Sequence, residues 1–226
     1  MPQSNETTRP GRAEQTRSRL LAAAVDAFSA RGFHGTSTRD LAAAAGMSPA
    51  AVYVHYRSKE ELLFELALTG HREVLALVRT VDDPAAPPAA RLHAVMWAFA
   101  RHHAVGHVGA RVVNYELAAL DGAHRAQIRE LRRQINETVR GLVDAGVAAG
   151  AFRTDDPRTA TLALLSMGID IARWYHDDGD LSPDQIADFY AGLALRTVDA
   201  IDPAPVSRDT PGSSREQSAA ADRLTE

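Results

Sequence analysis

Three histidines, His102, His103 and His107, stand close together, and the first chemical question is whether they hold a metal. His103 and His107 are four residues apart, a spacing that sets two imidazoles on one helix face where they can grip a divalent ion. Gly106 and Gly109 interrupt that helix, however, and no acidic side chain completes a ligand set. Helical di-metal enzymes draw on Glu-x-x-His pairs, and the chain has none. Its lack of cysteine removes thiol catalysis, Cys-based zinc sites and disulfides together. There is also no Gly-x-Ser-x-Gly elbow, phosphate loop or dinucleotide fingerprint. The histidines are expected to be solvated or hydrogen-bonded, with no metal and no cofactor, in a chain that is not an enzyme.

A second set of residues suits another chemistry. Pro49, Ala50 and Ala51 are small, so a helix that begins with them can bring its backbone close to a DNA major groove, with methyls for thymine. Tyr53, one turn along, can reach a phosphate or a base edge. His55 and Lys59 can contact phosphates, and so can Ser37 or Thr38. Arg39 can do the same or read a guanine edge. Ser48 can cap the helix that carries Pro49.

These residues need short helices in a fixed mutual orientation. An apolar face made by Leu20, Leu21, Ala24, Val25 and Phe28 predicts a first helix from Arg12 to Arg31, ended by Gly32. Thr36-Ser37-Thr38 offers N-caps for a second, Arg39 to Ala45. Gly46 supplies a positive-φ turn, and a third helix runs from Pro49 to His55. Ser58 and Glu61 form a capping box for a longer fourth, reaching about Arg79. Phe33, Leu41, Met47 and Val52 should fill the small core that sets the angle between the two short helices. Two short helices joined by a glycine turn and braced by a third outline a helix-turn-helix.

The residues in this segment resemble the TetR family of repressors. The correspondence runs through Gly32-Phe33, Thr36-Ser37, Leu41-Ala42, Ala45-Gly46-Met47-Ser48 and the unbroken Tyr53-Val54-His55-Tyr56-Arg57-Ser58-Lys59-Glu60-Glu61-Leu62. Tyr56 stands where the family usually has Phe, and is expected to pack its ring while its hydroxyl stays wet. Ala50 and Ala51 stand where the family often has Gly or Thr, so base preference does not carry over.

The resemblance implies an all-α fold: a three-helix DNA-binding domain followed by a helical ligand-binding and dimerisation domain. The boundaries read as an arm over 1–11, the helix-turn-helix over 12–58, the helical domain over 59–201 and a tail over 202–226, the two ends expected to be disordered. Further helices are expected near 89–105, 108–119, 122–150, 158–177 and 183–201. The resemblance makes the last two the dimer interface, with Ala160, Leu164, Leu165, Gly168, Ile171 and Ala172 on one and Phe189, Leu193 and Val198 on the other. Candidate walls of a ligand cavity are Met96, Phe99, Ala100, His103, Val113, Asn114, Leu117, Met167, Ile171, Trp174 and Tyr175. Asn114-Tyr115-Glu116-Leu117, Leu131-Arg132-Arg133, Phe152 and Trp174-Tyr175 look like actinobacterial members that sense acyl-CoA thioesters. Arg101, Arg111 or Arg125 would then meet a CoA head group.

Bulk properties agree with this reading. The chain carries 45% hydrophobic residues over 226 positions, enough for a sizeable core. Residues 1–60 hold eight basic against five acidic residues, net +3 on a chain of net −4, as suits a protein that offers one end to DNA. No signal segment or membrane span is apparent, which points to the cytoplasm. The expected partners are double-stranded operator DNA, a small lipophilic effector and a second copy of the chain. A regulator answering to a protein partner, or a helical-bundle metal enzyme, is the alternative. In the leading reading the helix from Ser58 to about Arg79 links the two domains as a lever.

Overall fold

In the computed structural model, residues 11–201 are described; the expected tail over 202–226, and all of the arm but Gly11, lie outside them. Those residues form helices without strands: α1 (Arg12–Arg31), α2 (Thr38–Ala44), α3 (Pro49–His55), α4 (Lys59–Val81), α5 (Pro88–Val105), α6 (His107–Tyr115), α7 (Gly122–Ala148), α8 (Pro157–Trp174) and α9 (Pro183–Thr197), with a short 3₁₀ turn at Leu117–Ala119 between α6 and α7.

Local chemistry accounts for most of the boundaries. Ser37 caps α2 in a reciprocal box with Asp40, and Ser48 accepts the Ala51 amide ahead of Pro49. Gly46 has φ +66, which lets the Met47 N–H reach back to Ala42 O at 2.8 Å and close α2. Ser58 accepts from Glu61 N as expected, but the Glu61 carboxylate returns to the Arg57 N–H at 2.6 Å, one residue before the position a capping box requires. The helix expected over 108–119 is shorter: α6 stops at Tyr115, and the chain tightens into the 3₁₀ turn.

Three apolar clusters hold the fold. The first joins Leu20, Phe28, Phe33, Leu41 and Val52 of the N-terminal helices to Leu62, Leu63 and Phe64 of α4 and to Val112, Val113 and Ile128 of α6 and α7. Its continuity means that the small N-terminal core is not sealed off at residue 58. The second gathers α4, α5, α7, α8 and α9 around Leu92, Met96, Phe99, Val139 and Leu164. The third sets Ala100 and Ala104 against Ile171, Tyr175 and Ile186. Helix α5 runs through the middle, with α9 lying along it.

The expected interface stripe on α8 belongs to this interior. Ala160, Leu164, Leu165, Gly168, Ile171 and Ala172 are all buried within the subunit, as is Val198. Gly168 shows why: a Cβ there would lie 2.6 Å from the Phe99 ring, so the missing side chain makes room for a core aromatic of α5. Tyr56 departs from expectation as well. It is only 2% exposed, and its hydroxyl is buried with no close hydrogen bond, facing the Arg17 guanidinium. The Arg17 guanidinium lies 5.3 Å from the ring centroid.

Candidate DNA interface and ligand cavity

Helix α3 buries Val52, half-buries Ala51 and His55, and presents the rest outward. Pro49 and Ala50 are exposed, Tyr53 is 54% exposed, and Val54 is 81% exposed. Val54 follows Ala50 by one turn, so the two share a face, and Tyr53 borders it. Nothing in the sequence reading singled out Val54. The signal was available, since a residue two positions beyond the buried Val52 lies on nearly the opposite face of a helix and cannot share its core. Ser37 and Arg39 are exposed at the start of α2, Thr38 and His55 are half-buried, and Ser37 is engaged by Asp40 through both its amide and its hydroxyl.

Lys59 has a different setting from the one expected. Its amine donates to Phe33 O and to Thr36 O, each at 2.8 Å, and sits 4.3 Å from the Phe33 ring centroid. Two of its three N–H groups are thereby spent on the turn between α1 and α2. The neighbouring Arg57 is exposed, and its guanidinium meets no partner among the described residues.

The same turn is tied to the rest of the protein. The Phe33 N–H donates to Glu116 Oε1, at the end of α6, at 3.2 Å. Glu60, in the first turn of α4, accepts from Asp121 N at 3.0 Å and contacts His124 Nδ1 at 2.9 Å. The His124 ring stacks on Phe64 at 3.7 Å. Glu60, Asp121 and His124 could together face a cation, yet their atoms already satisfy one another: Asp121 caps α7 through the His124 N–H. The corner between α6 and α7 thus holds the turn between α1 and α2 through Phe33 and the start of α4 through Glu60.

Behind that corner lies a cavity of about 1040 Å³. Its wall comprises Leu66 and Val74 of α4, Phe99 and His103 of α5, Val113 and Asn114 of α6, Ile135 of α7 and Leu165 of α8. Ser18, Leu21, Ala22 and Val25 of α1 also line it, so the DNA-binding domain contributes directly to the wall. Of the expected wall residues, Phe99, His103, Val113 and Asn114 are there. Met96 is in the second core, Ala100, Ile171 and Tyr175 are in the third, and Leu117 and Met167 pack against the first and second. Trp174 is 39% exposed. These seven lie in or just beyond helices that carry wall residues but face elsewhere, a distinction that needs the neighbours and not only the period.

Histidines mark the cavity. His71, His102, His103 and His107 all line it, with His71, His103 and His107 buried. His103 Nδ1 pairs with Phe99 O at 2.8 Å, His71 Nδ1 with Ala67 O at 2.7 Å, and His107 Nδ1 with Ala104 O at 3.1 Å. Burial holds the His103 imidazole down to about 4 and pushes His71 and His102 below their ordinary value as well. The arginines expected at a CoA head group are placed elsewhere. Arg101 pairs with Asp184 at 2.7 Å, Arg111 donates to Ala172 O at 3.2 Å, and Arg125 is off the cavity lining. The arginines on the wall are Arg129, Arg132 and Arg133.

Comparison with known proteins places this architecture. Residues 20–66 match the model for bacterial regulatory proteins of the tetR family, and residues 85–198 match the tetracyclin repressor-like C-terminal domain. The chain belongs to the TetR family. It is a DNA-binding, ligand-responsive transcriptional repressor, not an enzyme. The HTH-type transcriptional repressor KstR2 of Mycobacterium tuberculosis is 30% identical over 190 residues, covering 82% of this chain and 94% of that protein. A tetR-family regulatory protein from Rhodococcus RHA1 superimposes with a TM-score of 0.80 at 39% identity, over 85% of this chain and all of that one. AibR, solved with isovaleryl coenzyme A and operator DNA, gives a TM-score of 0.73 at 27% identity, over 82% and 100% of the two chains. No described helix is long and apolar enough to cross a membrane.

Proposed function

We propose that this TetR-family protein reads a palindromic operator as a homodimer and leaves it when a lipophilic effector fills the cavity. The observation that carries the DNA half is the uncovered face of α3, where Ala50, Tyr53 and Val54 offer methyls and a phenol to a major groove. Ser37, Thr38, Arg39, His55 and Arg57 lie around it as phosphate contacts, Ser48 and Pro49 set the helix start, and Ala51 lets the backbone approach. Lys59 is assigned chiefly to holding the turn that positions α2.

A two-fold protein is what a palindrome demands. The face offered for it combines Ala163, Met167 and Trp174 of α8 with Phe189 and Leu193 of α9, since Phe189 is 61% exposed and the inward faces of both helices are consumed by the core.

The effector class with most support is an acyl-CoA thioester: AibR, a structural neighbour, binds isovaleryl coenzyme A, and the cavity here is roomy and largely apolar. Release follows from geometry. Val113 and Asn114 line the cavity two or three residues before Glu116, whose carboxylate holds the Phe33 amide. A ligand that fits only when α6 shifts, or that presses on Leu21 and Val25 of α1, selects a state whose recognition helices are mis-spaced for one DNA face. Selection of binding sites from random duplex DNA, followed by titration of acyl-CoAs against the winner, tests this. A palindrome released by a thioester is expected, with Tyr53→Ala abolishing specific binding at unchanged helical content. Unchanged operator affinity in that variant defeats the DNA assignment.

A further inference from the structure

We infer that the cavity takes an anionic effector, whose carboxylate or phosphate oxygens seat on the Arg132 guanidinium. This rests on the cavity being the effector site, and it narrows what can enter.

Arg132 is half-buried on the cavity face of α7 and makes no hydrogen bond or ion pair with any described residue. Its neighbours on the same wall differ. Arg133 is held by Glu130 and by Glu137, and Arg129 is exposed to water. Burial alone acts on Arg132, lowering its affinity for its proton, with no carboxylate to oppose the effect. The acidic groups on the wall, Glu73 and Asp177, are both exposed. His71 and His103 face the same space with their Nδ1 atoms spent on backbone carbonyls, and an imidazole brings no negative charge to offset the guanidinium; burial first, and then the Arg132 charge, pushes His71 below its ordinary value.

A guanidinium withdrawn from water without a partner costs free energy that an incoming pair of oxygens recovers. Its planar fork matches a carboxylate or a phosphate with two parallel hydrogen bonds. A neutral lipophile would fill the apolar wall but leave the charge unpaired, and a cationic one would be repelled. The cavity therefore discriminates by charge as well as by size.

The test uses the full chain and four probes with the same ten-carbon tail: decanoate, decanoyl-CoA, 1-decanol and decyltrimethylammonium, each titrated by calorimetry. At least one anion is expected to bind ten-fold or more tightly than the alcohol and the ammonium. Preference for decanoate names a carboxylate, and preference for the thioester names the CoA phosphates. Arg132→Met should erase the advantage, weakening the anion at least ten-fold while the alcohol is unchanged, and Arg132→Lys should restore part of it. The ligand-free Arg132→Met protein should melt no lower than wild type, because it loses an unpaired charge; a merely structural arginine would lower the melting temperature. If decanol or the ammonium matches the anions, or if Arg132→Met leaves anion affinity intact, the charge assignment falls and the cavity reading stands. If none of the four binds wild type, both fall.

Discussion

Replacing Lys59 by Met separates two roles that the residue type alone allows, phosphate contact and internal clamp. The structure gives Lys59 two hydrogen bonds of 2.8 Å, to Phe33 O and Thr36 O. Hydrogen bonds from a charged donor contribute about 1.5–3 kcal/mol each. Lys59 is partly exposed, and Phe33 O also accepts from Thr36 N at 3.3 Å, so the lower end applies. Methionine keeps an apolar stem over the Phe33 ring, which preserves part of the packing. The expected loss is therefore about 2–3 kcal/mol, read from urea unfolding followed by circular dichroism. Operator binding across a salt series supplies the second readout. Each phosphate neutralised by a side chain contributes a slope of about −0.9 in log K against log salt. Lys59→Met should leave that slope unchanged, whereas Arg57→Met should flatten it by about 0.9 per subunit at unchanged stability. A Lys59→Met protein of wild-type stability with a flattened slope would refute the clamp and restore the phosphate contact.

Other substitutions probe the interior. Tyr56→Phe removes a buried hydroxyl that makes no close hydrogen bond but faces the Arg17 guanidinium, so the two effects should nearly cancel and stability should change by less than about 1 kcal/mol in the same assay. Gly168→Ala drives a methyl against the Phe99 ring and should cost about 1–3 kcal/mol, with altered probe affinity because Phe99 also lines the cavity. His103 titrates near 4 when folded against an ordinary 6.5. The unfolded chain binds a proton below about 6.5 that the native protein refuses, so stability should fall between pH 6.5 and 4 and then level off. The contribution is of the order of 3 kcal/mol, and His103→Leu should flatten the melting-temperature profile across that range. Glu116→Ala frees the Phe33 amide, whose hydrogen exchange should accelerate at least ten-fold while core amides of α5 keep their protection. Unchanged exchange at Phe33 would remove Glu116 from the link between cavity and DNA-binding helices.

Much of the DNA-binding half was legible because its determinants are local. Ser37, Ser48, Gly46 and Pro49 act within a turn or two of themselves, and their caps and φ angles depend on few distant contacts. The bounds of α1 and α3 were accordingly read to the residue. The setting of Lys59 at the same site has a non-local cause. Whether Lys59 reaches a phosphate or Phe33 O depends on a contact 26 positions away.

The sequence by itself determined that this is an all-α protein with a helix-turn-helix at its start and a larger helical domain behind it. Periodicity, capping residues and a contiguous motif are properties of neighbouring positions, and they survive without knowledge of the rest of the chain. Only the tertiary structure decided which faces meet. A helix in this chain is apolar on more than one side, so the 3.6-residue period marks candidates for core, cavity and dimer face alike. Packing α9 along α5 sent Ala100, Ile171 and Tyr175 into a core and left Phe189 uncovered, while α1 and the helices from α4 to α8 enclose a cavity with an unpartnered Arg132 on its wall. Burial is a relation between segments distant in sequence, and that is why the site had to wait for the fold.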